Sequence, residues 1–395
     1  MRFDKLKDFH RQKLGTLCTI VGGYAFDSKK MISKGNYQIV KMGNFYAGKL
    51  DLSRTPTFLD NPTQSELSAL LKKHDIVITL TGTVNKKDYG YTVQINDENN
   101  LLLNQRCALI RAKNNIDSNY LLYLLKSNEF LSQFYASSVG GTGNQTNVSI
   151  KAIEQFIVSI PHLDEQKRVG EFLSDIDKRI SVQNKIISDL KVLKKELCRK
   201  LFNSSHCNKT IEIRQLANIY GGYAFNSKTY NSKGKFKIVT IGNVTGNKYI
   251  SGDYNRIYML PGNIHDQQIL NNGDILISLT GNVGRISIVN GDNYLLNQRV
   301  AKLNVKDKLI KAYIYHYLSN SSFEKDMSNT GQGAAQKNIK NEDILSYKIR
   351  IPISQAYLEK IVGLLSMCDK LIVNEENYLL NLNFQKSFLL NAMFI

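Results

Sequence analysis

A chain that carries the same landmarks twice, in the same order, is constrained to build two copies of one unit. Residues 22–26 read GGYAF, and residues 221–225 read GGYAF again. Ser28-Lys29 and Ser227-Lys228 follow at the same offset, then Gly35 and Gly234, then Gly43-Asn44 and Gly242-Asn243. The match continues as HDIVITLTG at 74–82 against GDILISLTG at 273–281, still 199 apart, and as LLLNQR at 101–106 against YLLNQR at 294–299, now 193 apart. The first copy therefore holds about six extra residues between these landmarks. The copies meet again at GTGNQTNVS (141–149) and QGAAQKNIK (332–340), and Pro161 matches Pro352 at an offset of 191.

Each half opens with Gly-rich turns and short β-type runs, YQIVKMGN and DIVITLTG in the first, FKIVTIGN and DILISLTG in the second. Their β-branched residues sit between Gly and Asn punctuation, which predicts strands. The stretches SNYLLYLLKSNEFLSQFY and LIKAYIYHYLSNSSFEKDM carry helical periodicity instead. Each half is thus expected to be a mixed α/β globule of about 160 residues, a usual domain size.

After each proline the pattern changes to one long helix. Alternating steps of four and three from Val169 give Leu173, Ile176, Ile180, Gln183, Ile187, Leu190, Lys194, Leu197 and Leu201. Adding 192 gives Ile361, Leu365, Cys368, Ile372, Glu375, Leu379, Leu382, Lys386, Leu389 and Met393, broken by polar residues at the same two places. About 40 residues of helix make a rod roughly 60 Å long. Two such seams are expected to pack on each other as an antiparallel pair; the alternative is that each helix packs only on its own globule. In the antiparallel register Gln183 lies opposite Lys386 and Lys194 opposite Glu375, giving two polar layers that would exclude slipped registers. The expected organisation is a first globule over 1–160, a helix over 161–203, a second globule over 204–351 and a helix over 352–395.

The formal net charge of +18 favours polyanionic partners, nucleic acid or an anionic membrane surface. The opening MRFDKLKDFHRQK lacks the apolar core of a signal peptide, and no run approaches the roughly 18 apolar residues of a membrane span. A cytoplasmic protein with no membrane partner is expected. Cysteines 18, 107, 198, 207 and 368 form no C-x-x-C pair, which reads as buried thiols rather than a disulfide framework.

Catalytic patterns are missing. GNVTGNK (242–248) and VGGTGNQT (139–146) lack the spacing of a phosphate loop, and the scattered histidines 10, 74, 162, 206, 265 and 316 have no metal-ligand spacing. NPTQ at 61–64 lacks the second proline and the aromatic of the loop with which adenine methyltransferases hold a flipped base. No nucleophile elbow occurs either. What remains is basic and aromatic, in or beside predicted loops. The candidates for contact with nucleic acid are Tyr24, Lys29, Lys30, Arg54, Lys86, Lys87 and Tyr89 in the first half, with Tyr223, Lys228, Lys233, Lys235, Lys237 and Arg285 in the second.

Two globules that each open with GGYAF and pass through LTG, LNQR and a Gln-x-Asn element, followed by Pro and a heptad helix, resemble the specificity subunit of type I restriction-modification enzymes. The Gln-x-Asn elements add Gln145 and Asn147, and Gln336 and Lys337, to the candidates. The resemblance covers essentially the whole chain. It implies two target-recognition domains, each reading one half of a bipartite site on double-stranded DNA. It further implies antiparallel coiled-coil helices that dock two methylation subunits, with restriction subunits in the full complex. Such a subunit has no catalysis and no cofactor of its own; S-adenosylmethionine, ATP and Mg belong to the partners, which methylate adenine N6 and cleave DNA. The family's Glu-Gln pair at the helix start is present as Glu165-Gln166, whereas the second copy reads PISQAYLEK and lacks it. A stand-alone DNA-binding or architectural protein would explain charge and repeat, but not the two long seams. Residues shared by the copies are expected to build, and those that differ to specify. Gly22, Gly23, Tyr24 and Phe26 are therefore scaffold first, and Asn104-Gln105 and Asn297-Gln298 satisfy backbone groups.

Overall fold

The computed structural model describes residues 9–46, 48–96, 99–140, 144–330 and 337–394. The chain divides into two compact units, Met1–Gln183 with Tyr378–Ile395, and Asn184–Asn377. The long helices run over Leu163–Phe202 and Gln355–Met393, so each unit owns half of each helix.

In the first unit Ile76–Thr79 lies inside a four-stranded antiparallel sheet, between Cys107–Ala112 and Thr92–Gln94, with Cys18–Gly22 on the far side of Cys107–Ala112. Every residue of IVIT is buried because both faces of this sheet are covered. Ile76 and Ile78 face a core with Tyr120, Phe130 and Phe134, whereas Val77 packs with Ile39, Val40 and Leu102. The second core belongs to a sheet in which Tyr37–Val40 pairs parallel to Leu101–Leu103 and antiparallel to Phe58–Leu59. Helices Ser118–Leu124 and Asn128–Ala136 close the first core, and their starts are set by Asp117 and Ser127, which accept the backbone N–H groups of Tyr120 and Phe130.

The second unit repeats this plan. Ile275–Ser278 lies between Val300–Asn304 and Ile286–Ile288, with Asn218–Gly221 beyond Val300–Asn304. Ile275 and Ile277 face one core and Leu276 another. Phe236–Val239 again pairs parallel to one strand, Tyr294–Leu296, and antiparallel to another, Asn255–Ile257.

The long helices pack antiparallel within each unit. In the first, Val169, Leu173 and Ile176 join Met393 and Phe394; in the second, Cys198 and Phe202 join Leu358, Ile361 and Leu365. Both seams also bury globule residues, the first against Tyr120 and Leu121 and the second against Tyr313. The two packing modes distinguished from sequence thus coexist. Cys18, Cys107, Cys198 and Cys207 are buried, and burial pushes the first three thiols up to about 12, 12 and 11. Among the described residues no helix is long and apolar enough to cross a membrane, and no group of His, Cys, Asp and Glu could hold a metal ion.

Candidate nucleic-acid interface

The repeated GGYAF closes against the repeated LNQR. Tyr24 donates its N–H to Leu103 O at 2.8 Å and its carbonyl accepts from Gln105 N at 3.0 Å; Tyr223 makes the same bonds to Leu296 and Gln298 at 2.8 and 3.0 Å. A Cβ on Gly23 would lie 2.1 Å from Asn104 O, and one on Gly222 would lie 2.1 Å from Asn297 O. No side chain fits so close to a backbone carbonyl, so glycine is dictated by contact. The Tyr24 and Tyr223 rings meet those of Phe26 and Phe225 at a steep angle, with centroids 5.2 and 4.9 Å apart.

Around this bolt the second unit gathers basic candidates. Lys228 lies in the turn Ser227–Thr229, and Lys233 and Lys235 lie on the exposed loop that precedes Phe236–Val239. That loop is tied to the next strand, since Asn231 N–H donates to Arg256 O at 2.8 Å. Lys237 is turned over the Tyr294 ring, 4.6 Å from its centroid. In the first unit Lys29 is exposed, while Lys30 approaches Glu66 at 3.6 Å. The N–H and hydroxyl of Thr63, with Lys30 adding, hold the Glu66 carboxyl below its ordinary range. Arg54 lies over the Tyr46 ring at 4.2 Å.

A second cluster forms where LTG meets the Gln-x-Asn element. Gln145–Asn147 pairs with Thr81–Thr83 and with Val139–Gly140, leaving Gln145 and Asn147 exposed. Thr81 Oγ1 donates to Asn147 Oδ1 at 3.2 Å. The adjoining surplus segment is a built turn: Asn85 has φ +62°, and the Thr83 N–H and hydroxyl reach Asp88, holding its carboxyl below the ordinary range. Lys86 and Lys87 are exposed on this turn beside a hollow of about 320 Å³, with Lys87 Nζ 5.2 Å from the centroid of the Tyr135 ring.

Tyr89 does not belong with them. It is 3% exposed, packs on Phe134 and Tyr135, and donates its hydroxyl to Ser138 Oγ at 2.8 Å. A Cβ on Gly82 would touch its ring at 2.2 Å. Tyr89 is the anchor of the surplus turn and not a contact, because an aromatic ring at a loop base serves the core first. In the second unit Gly281 N–H donates to Lys337 O at 3.0 Å and Thr280 bridges to Asn338, the counterpart of the first hairpin. Lys337 Nζ reaches Ser328 Oγ at 2.8 Å, and Arg285 is drawn to Glu324 at 3.1 Å. Gln336 lies outside the described residues.

Two of the four polar seam residues, Lys194 and Lys386, take partners that the heptad reading did not expect. Lys194 donates to Asp369, and Lys386 donates to Asp177 at 2.5 Å, where Glu375 and Gln183 were expected. Asp177 and Asp369 are themselves 192 apart, each one residue past a seam position, so a lysine reaching along the seam meets a flanking carboxylate first. Tyr123 donates to Asp177 Oδ2 at 2.9 Å, and Tyr315 lies by Asp369, whose carboxylate adds to burial in pushing its phenol up. In each unit, then, a globule tyrosine, an aspartate of one long helix and a lysine of the other come together. The second unit adds His316, with Nδ1 3.7 Å from Asp369 Oδ2 and Nε2 3.1 Å from Ser366 Oγ. Burial pushes it down to about 4. These aspartates and tyrosines were not singled out from sequence; their common offset was the available signal.

Two loop clusters on one scaffold, built twice, narrow the comparison with known proteins. The family model for the type I restriction modification DNA specificity domain matches residues 7–192 and again 208–382. The chain belongs to the type I restriction-modification specificity family. A relative in that family, the type I restriction enzyme MjaVIII specificity subunit of Methanocaldococcus jannaschii, is 28% identical over 278 residues, 64% of this chain and 64% of its own length. The match therefore spans just under two thirds of that relative. Among solved structures, the type I restriction-modification S subunit from M. genitalium superposes with a TM-score of 0.59 at 16% identity, covering 100% of this chain and 98% of that one. A chain solved in work on complex assembly of the type I system gives 0.54 at 16% identity, covering 97% of each. At such identity these two likenesses speak for the fold.

Proposed function

We propose that this specificity-family chain is the non-catalytic specificity subunit of a type I complex, in which each globule reads one half of a bipartite, asymmetric site on duplex DNA. One observation carries the reading: the motif common to both copies closes through the same backbone bonds and the same glycine contact, while the surplus turn that the second copy lacks exposes Lys86 and Lys87. Lysines there supply the salt-dependent phosphate term, and exposed Gln145 and Asn147 have the amide groups that read adenine edges. The long helices fix the half-sites and dock two methylation subunits. Exposed apolar side chains on them, Phe172, Phe384 and Phe388 in the first unit and Leu364, Met367 and Leu371 in the second, support that role. Methylation of adenine N6 and ATP-dependent cleavage are then performed by the partners, which hold S-adenosylmethionine, ATP and Mg.

The test is exchange of residues 1–160 for the corresponding domain of a relative, with the methylated sequence read before and after. One half of the site should change and the other persist. A swap that alters both halves or neither removes the modular reading.

A further inference from the structure

We propose that Tyr258-Met259-Leu260 of the second unit is an apolar wedge that enters a base step of duplex DNA, a role with no equivalent in the first unit's corresponding turn. The inference rests on the reading of the globules as DNA readers. Three consecutive apolar side chains are 55%, 82% and 38% exposed, on a chain whose net charge is +18. Isolated apolar residues on a surface need no explanation; three in a row at one loop tip do.

The tip is held from beneath rather than loose. Ile257, immediately before it, is 3% exposed and pairs with Phe236. After it, Ile264 N–H donates to Pro261 O at 3.1 Å, and Asn263 Oδ1 accepts the hydroxyl of Tyr223 at 2.7 Å. The wedge is thereby joined to the GGYAF bolt, and Arg256 Nη1 reaches Gly234 O at 3.4 Å, joining it to the loop that carries Lys233 and Lys235. An apolar tip bordered by exposed lysines matches a partner that offers phosphates outside and stacked base faces within.

The first unit supplies the contrast. Leu59 pairs with Tyr37 as Ile257 pairs with Phe236, so the residues corresponding to the tip are Asp60, Asn61 and Pro62. Asp60 is committed to its own loop, accepting Asn36 N–H at 2.7 Å. If shared residues build and differing ones specify, this turn is where the two half-sites are treated differently: one read on the outside, the other opened at a flexible step.

The experiment uses the full chain and a short duplex of random sequence with donor and acceptor dyes at its ends. Wild type should shorten the dye distance by kinking the duplex. The variant with Tyr258→Ser, Met259→Ser and Leu260→Ser should bind about tenfold more weakly, equivalent to roughly 1.4 kcal/mol, and leave the duplex straight. The dependence of affinity on salt should be unchanged, because no charge is removed. Met259→Ser alone, at the most exposed position, guards against misfolding and should lose part of the kink with an unaltered thermal midpoint. A folded triple variant that keeps both affinity and kink overturns the wedge alone. A wild type whose affinity is indifferent to salt overturns the DNA reading and the wedge with it. A variant that kinks DNA normally but no longer associates with a methylation subunit makes the tip a protein contact and overturns the proposal.

Discussion

Replacing Lys194 by methionine should destabilise the second unit by about 3 kcal/mol, the lower end of the range for breaking a buried ion pair. Lys194 is 17% exposed and Asp369 only 4%, so removal of the ammonium strands a carboxylate in the interior. A titratable neighbour placed to compensate is His316, and in the intact protein it is neutral, held near 4 by burial and by Lys194 and Lys248, against an ordinary value of 6.5. With Lys194 gone, one of the two lysines that disfavour the imidazolium is removed, while Asp369 still faces the ring at 3.7 Å. The folded form then binds a proton more readily.

The sign follows from linkage. In wild type the unfolded histidine takes a proton as pH falls through 6.5 while the folded one resists until about 4, so stability is complete above 6.5 and declines as pH falls through that window. In Lys194→Met the decline is smaller, and the variant's deficit shrinks on acidification. Hydrogen exchange over 190–200 and 360–375, at neutral and mildly acidic pH, reads the second unit by itself. The double variant Lys194→Met with Asp369→Leu should return to within about 1 kcal/mol of wild type, since an apolar pair replaces the ionic one. A single variant costing under about 1 kcal/mol, or a deficit that is the same at both pH values, would refute the argument.

The equivalent change in the first unit, Lys386→Met, should cost only about 1 kcal/mol, because Asp177 is 34% exposed and keeps the Tyr123 hydroxyl; the same exchange measurement over 172–182 checks it. Gly222→Ala drives a methyl to 2.1 Å from the Asn297 carbonyl and should lower stability by about 3 kcal/mol in thermal unfolding, whereas Gly221→Ala, with nothing within 4 Å, should be nearly silent. Lys86→Ala with Lys87→Ala should leave the thermal midpoint unchanged and reduce the slope of log affinity against log salt by about 2 if both reach phosphates.

How much of this was legible in the sequence depends on the range of the interaction. Ile76–Thr79 and Ile275–Ser278 are strands, which their β-type runs announced locally; that each of their residues is buried was not announced. The repeat announced the second copy, and the heptads announced helices that run to Phe202 and Met393. Gly23 was marked as scaffold, but the Asn104 carbonyl that excludes its side chain is a contact across 81 residues and lies outside any local pattern. Tyr89 misled for the opposite reason: beside Lys86 and Lys87 it had the composition of a binding loop, and only the distant Phe134, Tyr135 and Ser138 show that its ring is turned inward.

The partners of the two seam lysines were illegible for a subtler cause. A heptad argument assigns partners by seam position, as if lysine ended at its Cβ, whereas its stem carries the charge about a helical turn beyond that position. Lys194 and Lys386 therefore find acids that a helical wheel places beside the seam, Asp369 and Asp177. The offset of 192 is kept for both members of each pair, so the duplicated chain retains the pairing as a unit. What differs is the neighbour added to the three: the first unit has Leu124 where the second has His316, and the first carboxylate is partly solvated where the second is not. A pairing that is retained while its burial diverges serves register more than stability, since a half-exposed pair contributes little and a buried one costs desolvation. The two ends of the helix pair are thus matched in register but unequal in strength, and perturbing them one at a time separates those two properties.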